Sequence, residues 1–508
     1  MGAVNTFAAG RYRFLVAALA ALAACAVAAA LCTTVARSSS PDAQTAAVSV
    51  GGSTVGQPVP SGFLGLSIEI PAIATYAGLD PQAINPVFEQ LLRNLAPDQS
   101  QVLRIGGDST DWTWYPVPHM RRPPWVRYTL SKRWLAVTRA LAEAVDARLI
   151  FGINLEAHSP RVAAAEADAL VGGIGPQSID ALEPGNEPEL YGSFGWYRTP
   201  TGRAVEGRAH GYDFSDFTHD FSNITRSLPQ IQLAGPGIGS SSWIQQLRAF
   251  LTAEPRVGVV TLHRYPLKRC LATARVTVGQ LLSESSSIGL AGSVAHNVAI
   301  AHARGHQLRI DELNSVACGG QRGVSDTFAS SLWSLDALFA MASVGVDGVN
   351  VHTVPNSINE LFTFEQVNGQ WQGSVRPDYY GLLMFAQAAP PGSRLLKLSG
   401  TTRGAFRAWA TLAPDGHTRV VLINTNTARR ALVTVRALSA AASATLERLT
   451  APAVTSKSGV TLGGQTFGPE TSTGMLAGTP QTTSVAPVGG AYHITLPAAS
   501  AALLTLSS

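Results

Sequence analysis

The chain has 508 residues, 46% hydrophobic and only 14% charged, with 37 Lys and Arg against 33 Asp and Glu for a net charge of +4. Disorder requires the opposite balance of low hydrophobicity and high net charge, and is excluded. The length exceeds one ordinary globular core, which favours a large α/β barrel with a companion domain.

Residues 1–37 carry Arg11, Arg13 and Arg37 and no acid, and 18 apolar residues run from Phe14 to Leu31. A basic start followed by an apolar stretch is the layout of an export signal, so this segment is expected to be a leader and the working body to lie outside the cytoplasm. Leu22-Ala23-Ala24-Cys25 also fits a bacterial lipobox, in which Cys25 would carry a lipid anchor. Cleavage near Ala36 and an uncleaved anchor both stay open. No later run reaches the roughly 20 apolar residues of a spanning helix. Of the four cysteines, Cys25 and Cys32 belong to the leader; Cys270 and Cys318 are either a disulfide in an oxidising compartment or two buried thiols.

Residues 38–59 read as a Ser-, Thr- and Ala-rich linker with a short strand, Ala46 to Val50, that could join a C-terminal sheet. From residue 60 to 389, short apolar strands alternate with helical stretches. The strands are Phe63 to Ile70, Gln101 to Ile105, Arg148 to Asn154, Ser178 to Glu183, Ile231 to Ala234, Val257 to His263, Leu308 to Glu312 and Gly348 to His352. Eight strands are what a (β/α) barrel needs, and the count favours it over an open doubly wound sheet. The clearest helices are Pro81 to Leu95, Lys132 to Val145, Phe214 to Leu228, Trp243 to Leu251, Val294 to Ala303 and Thr327 to Ala342. The first two carry apolar stripes near the 3.6 period. From residue 390 to 508 the texture turns to Thr-, Ser-, Val- and Gly-rich runs, such as Arg419 to Asn424 and Ala431 to Val435, and reads as an antiparallel β-sandwich.

The leader has three bases and no acid, residues 38–389 have 24 bases and 30 acids, and residues 390–508 have ten bases and three acids. The net positive charge therefore lies outside the barrel, and with no basic stripe on that domain nucleic acid is not expected as a partner.

Reactive groups of a barrel enzyme project from the C-terminal strand ends. Four of these ends are polar: Arg104-Ile105-Gly106-Gly107-Asp108 on the second, Glu183-Pro184-Gly185-Asn186-Glu187-Pro188 on the fourth, His263-Arg264-Tyr265 on the sixth, and Asp311-Glu312-Leu313-Asn314 on the seventh. They bring two carboxylates, Glu187 and Glu312, to one mouth. Glycoside hydrolysis asks for such a pair, one protonated to donate to the leaving oxygen and one ionised; about 5 to 5.5 Å apart, the ionised one attacks directly and configuration is retained. Arg104 or Tyr265 nearby would keep Glu312 charged. Strict alternation turns Asp311 to the opposite face from Glu312.

These segments, in this order, resemble the clan of retaining (β/α)-barrel glycosidases with Asn-Glu on strand four and Glu on strand seven. More narrowly, with Gly319-Gly320 and Arg376-Pro377-Asp378-Tyr379-Tyr380-Gly381 downstream, the chain from about residue 48 to 508 resembles glycoside hydrolase family 79, which holds bacterial β-glucuronidases and heparanases. The resemblance implies a barrel followed by a β-sandwich, no cofactor, no metal, and a glucuronic-acid-containing oligosaccharide or glycoside as the substrate of a monomer. It makes Glu187 the acid/base and Glu312 the nucleophile, Asn186 a partner of the sugar 2-hydroxyl, Tyr265 a support of the nucleophile, and Glu69 and His352 further sugar contacts. It also assigns the uronate carboxylate to N–H groups at Gly319 and Gly320 and a tyrosine, although Cys318 stands where an aromatic residue is expected. The activity implied is exo-acting removal of terminal β-linked glucuronic acid or its 4-O-methyl ether.

Each residue has a plainer reading. Asn186-Glu187-Pro188 also suits a turn, Arg104 a buried ion pair, Glu69 and His352 polar rim positions, and His263 a satisfied wall residue. Trp112, Trp114, Tyr115 and Trp125 either stack on sugar or pack their own loop. His302 and His306 have helical spacing but no accompanying carboxylate for a metal site. Within the enzyme class the alternatives are a xylosidase, an arabinofuranosidase or an endo-β-glucuronidase; outside it, a noncatalytic carbohydrate-binding surface protein.

Overall fold

Eight parallel strands, Leu64–Glu69, Val102–Gly106, Arg148–Ile153, Ile179–Pro184, Leu233–Ile238, Val257–Arg264, Gln307–Leu313 and Gly348–Thr353, close into a barrel in the computed structural model. The eighth pairs with the first from Val349↔Leu64 to Thr353↔Ile68, which completes the ring. The structure describes residues 43–271, 275–437 and 443–506; the leader, with Cys25 and Cys32, lies outside the described residues. Among the described residues no helix is long and apolar enough to cross a membrane.

Local chemistry sets the element ends. The helix expected from Pro81 begins at Pro86, because the Asn85 side chain accepts from the N–H groups of Val87 and Phe88 and Pro86 needs no donor in the first turn. Its apolar stripe buries Val87, Phe88, Leu91, Leu92 and Leu95. The helix expected over Trp243 to Leu251 is two pieces, Ser241–Ile244 and Leu247–Ala253. The fifth strand is expected to stop at Ala234. Instead it runs on through Gly235-Pro236-Gly237 to Ile238, and its pairing shifts register between Pro236 and Ile238, where the proline and glycines are absorbed.

A second irregularity overturns the alternation argument for Asp311. Next to the sixth strand, Thr261 pairs with Arg309 and His263 with Glu312; next to the eighth, Val349 pairs with Ile310 and Val351 with Leu313. Between these pairs one residue on each neighbour, Leu262 and Asn350, thus faces two on the seventh strand. Such a bulge cancels one step of alternation, so Asp311 and Glu312 both turn into the barrel.

The C-terminal strands form an antiparallel sheet that folds over a core including Val48, Phe406, Val420, Leu422, Val433, Leu446, Tyr492 and Leu504. Gln44–Val55 lies within this sheet and pairs with Arg394–Gly400 from Val48↔Gly400 onward, so the segment preceding the barrel is built into the domain that follows it. The main core is continuous from the barrel to Val421, Ile423, Leu449 and Leu503 of the sheet. At this junction Asp336, on the buried helix Phe328–Ser343, accepts from Trp409 Nε1 at 2.8 Å and lies 3.3 Å from Arg407.

Candidate active site

Arg104, on the second barrel strand, is wholly buried and organises the mouth. Its Nε donates to Glu183 Oε2 at 2.9 Å, and its two terminal nitrogens donate to Glu312 Oε2 at 2.7 Å and Asn186 Oδ1 at 2.8 Å. The ion-pair and positioning readings therefore hold together. Tyr265 donates to the other Glu312 oxygen at 2.8 Å. Burial would raise the Glu312 pKa, but the imidazoles of His352 and His263, the Arg104 guanidinium and the Tyr265 hydroxyl outweigh it and hold the carboxyl well below its usual range. Glu312 is a fixed anion.

Glu187 follows the fourth strand through Gly185 and stands in the left-handed region at φ 45°. That conformation is uncommon for a residue with a Cβ and costs on the order of 1 kcal/mol or more. It is held by the Glu187 N–H, which donates to Gly237 O at 3.0 Å, and by the neighbouring Asn186 N–H, which donates to Asp111 at 3.1 Å. The Glu187 side chain is 26% exposed against 10% for Glu312, so it is the more open to a departing group. His263 Nδ1 lies 3.1 Å from Glu187 Oε1.

His263 is buried, as a wall histidine would be, yet it faces the carboxylates. Burial would lower its pKa, but Glu312 and Asp311 raise it well above the ordinary value, so it is an imidazolium. Asp311 Oδ2 lies 3.6 Å from Arg104 Nε and 3.7 Å from His263 Nε2. Burial would raise the Asp311 pKa too, but His263 and Arg104 lower it. Glu183, by contrast, is pushed up to about 8 by burial and by the charge of Asp311. Arg104 and His263 thus stand as buried cations beside Asp311 and Glu312, the two carboxyls held low. Asp311, Glu183 and His263 are the members of this site that sequence reasoning did not assign to it; the polar run His263-Arg264-Tyr265 was a signal for the histidine, whereas only the bulge reveals the aspartate.

Glu69, at the end of the first strand, accepts from the N–H groups of Asp108 at 3.1 Å and Ser109 at 2.8 Å. Gly107 is required here: its φ is +74°, and a Cβ would lie 2.3 Å from Glu69 Oε1. Burial and then the Asp108 charge push the Glu69 pKa up to about 8. His352 lies 3.6 Å from Glu69 Oε1 and 3.9 Å from Glu312 Oε2, with Nδ1 3.0 Å from Ser67 Oγ. Asn186 also donates to Asp108 Oδ1 at 3.2 Å, which fixes its amide.

Gly319 and Gly320 lie on the loop after the seventh strand, both at positive φ with Cys318 before them. Cys318 is disulfide-bonded to Cys270, so this loop is tied to the one that follows Tyr265. Gly319 O accepts from Ile358 N at 2.9 Å, which joins the loop to that after the eighth strand. Trp114 and Trp125 are buried: Trp114 donates to Thr129 within its own loop, and Trp125 stacks on Trp196 of the loop after the fourth strand at 5.0 Å between ring centres. His302 hydrogen-bonds with Asp347 at 2.7 Å.

Among the described residues, donor atoms of Glu187, His263 and Glu312 lie within 4.8 Å of one another, a spacing that suits a metal. The guanidinium of Arg104 already sits 2.7 Å from Glu312 and would repel a cation there. The arrangement suits proton transfer and attack by a fixed carboxylate better than metal ligation.

Residues 408–503 match the model described as the Glycosyl hydrolase family 79 C-terminal beta domain. A beta-glucuronidase of Neurospora crassa is 22% identical over 423 residues, 74% of each chain. Heparanase of Rattus norvegicus is 24% identical over 296 residues, 55% of this chain, which spans only 51% of that relative's length. Among solved structures, a 4-O-alpha-L-rhamnosyl-beta-D-glucuronidase from Fusarium oxysporum matches with a TM-score of 0.71 at 24% identity, over 91% of this chain and all of that one. A GH51 arabinofuranosidase from Xanthomonas axonopodis pv. citri matches with a TM-score of 0.62 at 14% identity, over 92% of this chain. The structural likenesses bear on the fold, a barrel with a C-terminal β domain.

Proposed function

We propose that this family 79 glycoside hydrolase is an exported, retaining, exo-acting β-glucuronidase that removes terminal β-linked glucuronic acid or its 4-O-methyl ether from glycans or glycosides. The observation that carries this reading is the pairing of Glu187 and Glu312, with carboxylate oxygens within 4.8 Å and unequal surroundings. A separation of about 5 Å leaves no room for a water between carboxylate and sugar, so Glu312 attacks the anomeric carbon itself. Glu187 gives its proton to the leaving oxygen, then takes one from the water that releases the sugar from Glu312. Arg104 and Tyr265 orient the nucleophile. Asn186, fixed by Arg104 and Asp108, faces the same mouth as a partner for the 2-hydroxyl, and Glu69 and His352 line its other side.

The glucuronide preference draws on the Neurospora relative and the Fusarium neighbour, and on Gly319-Gly320, two successive residues at positive φ in a turn of the kind whose backbone N–H groups bind anions. A panel of 4-nitrophenyl glycosides tests the reading: the glucuronide should be the preferred substrate, and hydrolysis of the xyloside or arabinoside alone would overturn it. Glu312→Ala should abolish turnover, whereas Glu187→Ala should still release nitrophenol in a first burst, because that leaving group needs little proton donation. Full activity in either variant would remove the assignment.

A further inference from the structure

Two residues beyond Glu187 stands a carboxyl, Glu189, that neither step of the double displacement uses. Pro188–Leu190 make one tight turn, closed by the Leu190 N–H donating to Glu187 O at 2.9 Å. Glu189 Oε1 accepts from the N–H groups of Gly239 and Ser240, at 2.6 Å each, in the loop that follows the fifth strand. Arg264, next to His263 on the sixth strand, donates to Gly239 O at 2.9 Å, so the backbone at Gly239 is held from both sides. The two carboxyls meet at this glycine: a Cβ there would stand 3.1 Å from Glu187 Oε1 and 3.5 Å from Glu189 Oε1. With no side chain at that point, both can close on it.

The other Glu189 oxygen is buried and, among the described residues, accepts no hydrogen bond. A carboxylate that has lost water on one side without gaining a donor favours its protonated form. Burial and then the charge of Glu187 push the Glu189 pKa up to about 7. Two carboxyls that share a site resist ionising together, and their protons come off as those of a pair. The groups that face this pair are His263, 3.1 Å from Glu187, and Arg264 on the sixth strand, Asp108 after the second, Glu312 on the seventh and His352 on the eighth. An imidazolium so close favours loss of the proton that the first step needs, and a second carboxylate opposes it.

We propose that Glu189 is a positioning residue for the acid/base: through the backbone of Gly239 and Ser240 it fixes the wall against which the Glu187 carboxyl lies, and by repulsion it keeps a proton on the pair until the leaving oxygen takes it. The inference rests on Glu187 as the acid/base.

Glu189→Gln keeps an oxygen for both N–H groups and removes only the charge. The alkaline limb of its kcat/KM profile, which reports the first step alone, should move about one pH unit lower. At pH 7 its kcat/KM on an alkyl glycoside, whose leaving group needs the proton, should fall about tenfold, while that on the 4-nitrophenyl glycoside should change little. Glu189→Asp restores the charge and should restore the limb. A limb that stays in place in Glu189→Gln with equal losses on both substrates, or one that moves equally in Glu189→Asp, overturns the proposal. Coupling is reciprocal, so a second measurement leaves Glu189 intact: in Glu187→Gln, the carboxyl carbon resonance of Glu189 should titrate at lower pH than in the wild type, and an unmoved titration overturns the proposal whatever the fate of the Glu189 variants. The glycosides carry whichever sugar the enzyme prefers, so an error in the sugar does not reach this result. If Glu187→Gln itself showed no dependence on the leaving group, the acid/base assignment would fall and the proposal with it; dependence in Glu187→Gln without any in Glu189→Gln overturns the proposal alone.

Discussion

Arg104 donates to Glu183, Asn186, Glu312 and Ser67, so one side chain fixes the relation of nucleophile, amide and buried acid. Lysine can hold only a point charge where the guanidinium spans several oxygens at fixed angles. Arg104→Lys should therefore fold while losing about a hundredfold or more in kcat, whereas Arg104→Ala, by stranding buried carboxylates, should also lose about 3–5 kcal/mol of stability. Steady-state kinetics with urea unfolding separates the two effects, and a lysine variant with native kcat would deny the positioning role. The positions of Glu187, Glu312, Arg104 and Tyr265 were legible in the sequence, because polar residues at the ends of apolar strands stand out from a packed core, and the structure brings the four to one mouth. Asp311 was not, because its direction depends on a bulge that neither composition nor alternation reveals. The partnership of His263 with Glu187 was equally hidden, since a buried histidine has the same sequence signature whether it packs or faces a carboxylate.

At the scale of elements, the barrel strands were legible because apolar runs of five or six residues recur between helical stripes. Seven of the eight strands both begin and end within a residue of the expected limits; the fifth ends four residues late because Gly235-Pro236-Gly237 looks like a break and acts as a bulged strand. Loops carry no such periodicity, and the Cys270–Cys318 bond across two of them could be left only as an alternative to free thiols. Its place in the structure has consequences for both stability and binding. The bond closes a sequence separation of 48 residues, and loop-closure entropy alone assigns it about 4 kcal/mol. Because Cys318 immediately precedes Gly319, the bond also restrains the turn assigned to the uronate. The double variant Cys270→Ser/Cys318→Ser should unfold at a lower temperature and show a raised KM for a glucuronide with a smaller change in kcat. A lowered melting temperature with an unchanged KM would leave the bond a purely structural role.

For the whole molecule, the main core runs without interruption from barrel to C-terminal sheet, and the strand before the barrel completes that sheet, so the two parts should unfold together. Their shared stability should have an unusual pH dependence. Burial raises Glu69 and Glu183 to about 8, Asp108, Glu189, Glu360 and Asp378 to about 7, and Glu156 to about 9. Unfolded, such groups titrate near 4. A raised carboxyl makes the folded state bind more protons than the unfolded state, so its contribution is complete below about pH 4 and is lost as pH rises through 7 to 9. Glu312 and Asp311 act in the opposite sense: their pKa values are lowered, and their contribution is present above about pH 4 and lost below it. The two sets leave a maximum on the acid side of neutrality. Seven raised groups outweigh two lowered ones, so melting temperature should be highest near pH 4 and fall toward pH 8.5, most steeply between about pH 5 and 7, where the folded state holds these protons and the unfolded state has lost them; calorimetry across that range checks it, and a melting temperature that rose with pH would show that the buried carboxyls are ionised and compensated in the fold. Activity on a neutral substrate should decline over the same alkaline limb, since ionisation of Glu69, Asp108 and Glu183 would add negative charge to a mouth that already holds the anions of Asp311 and Glu312.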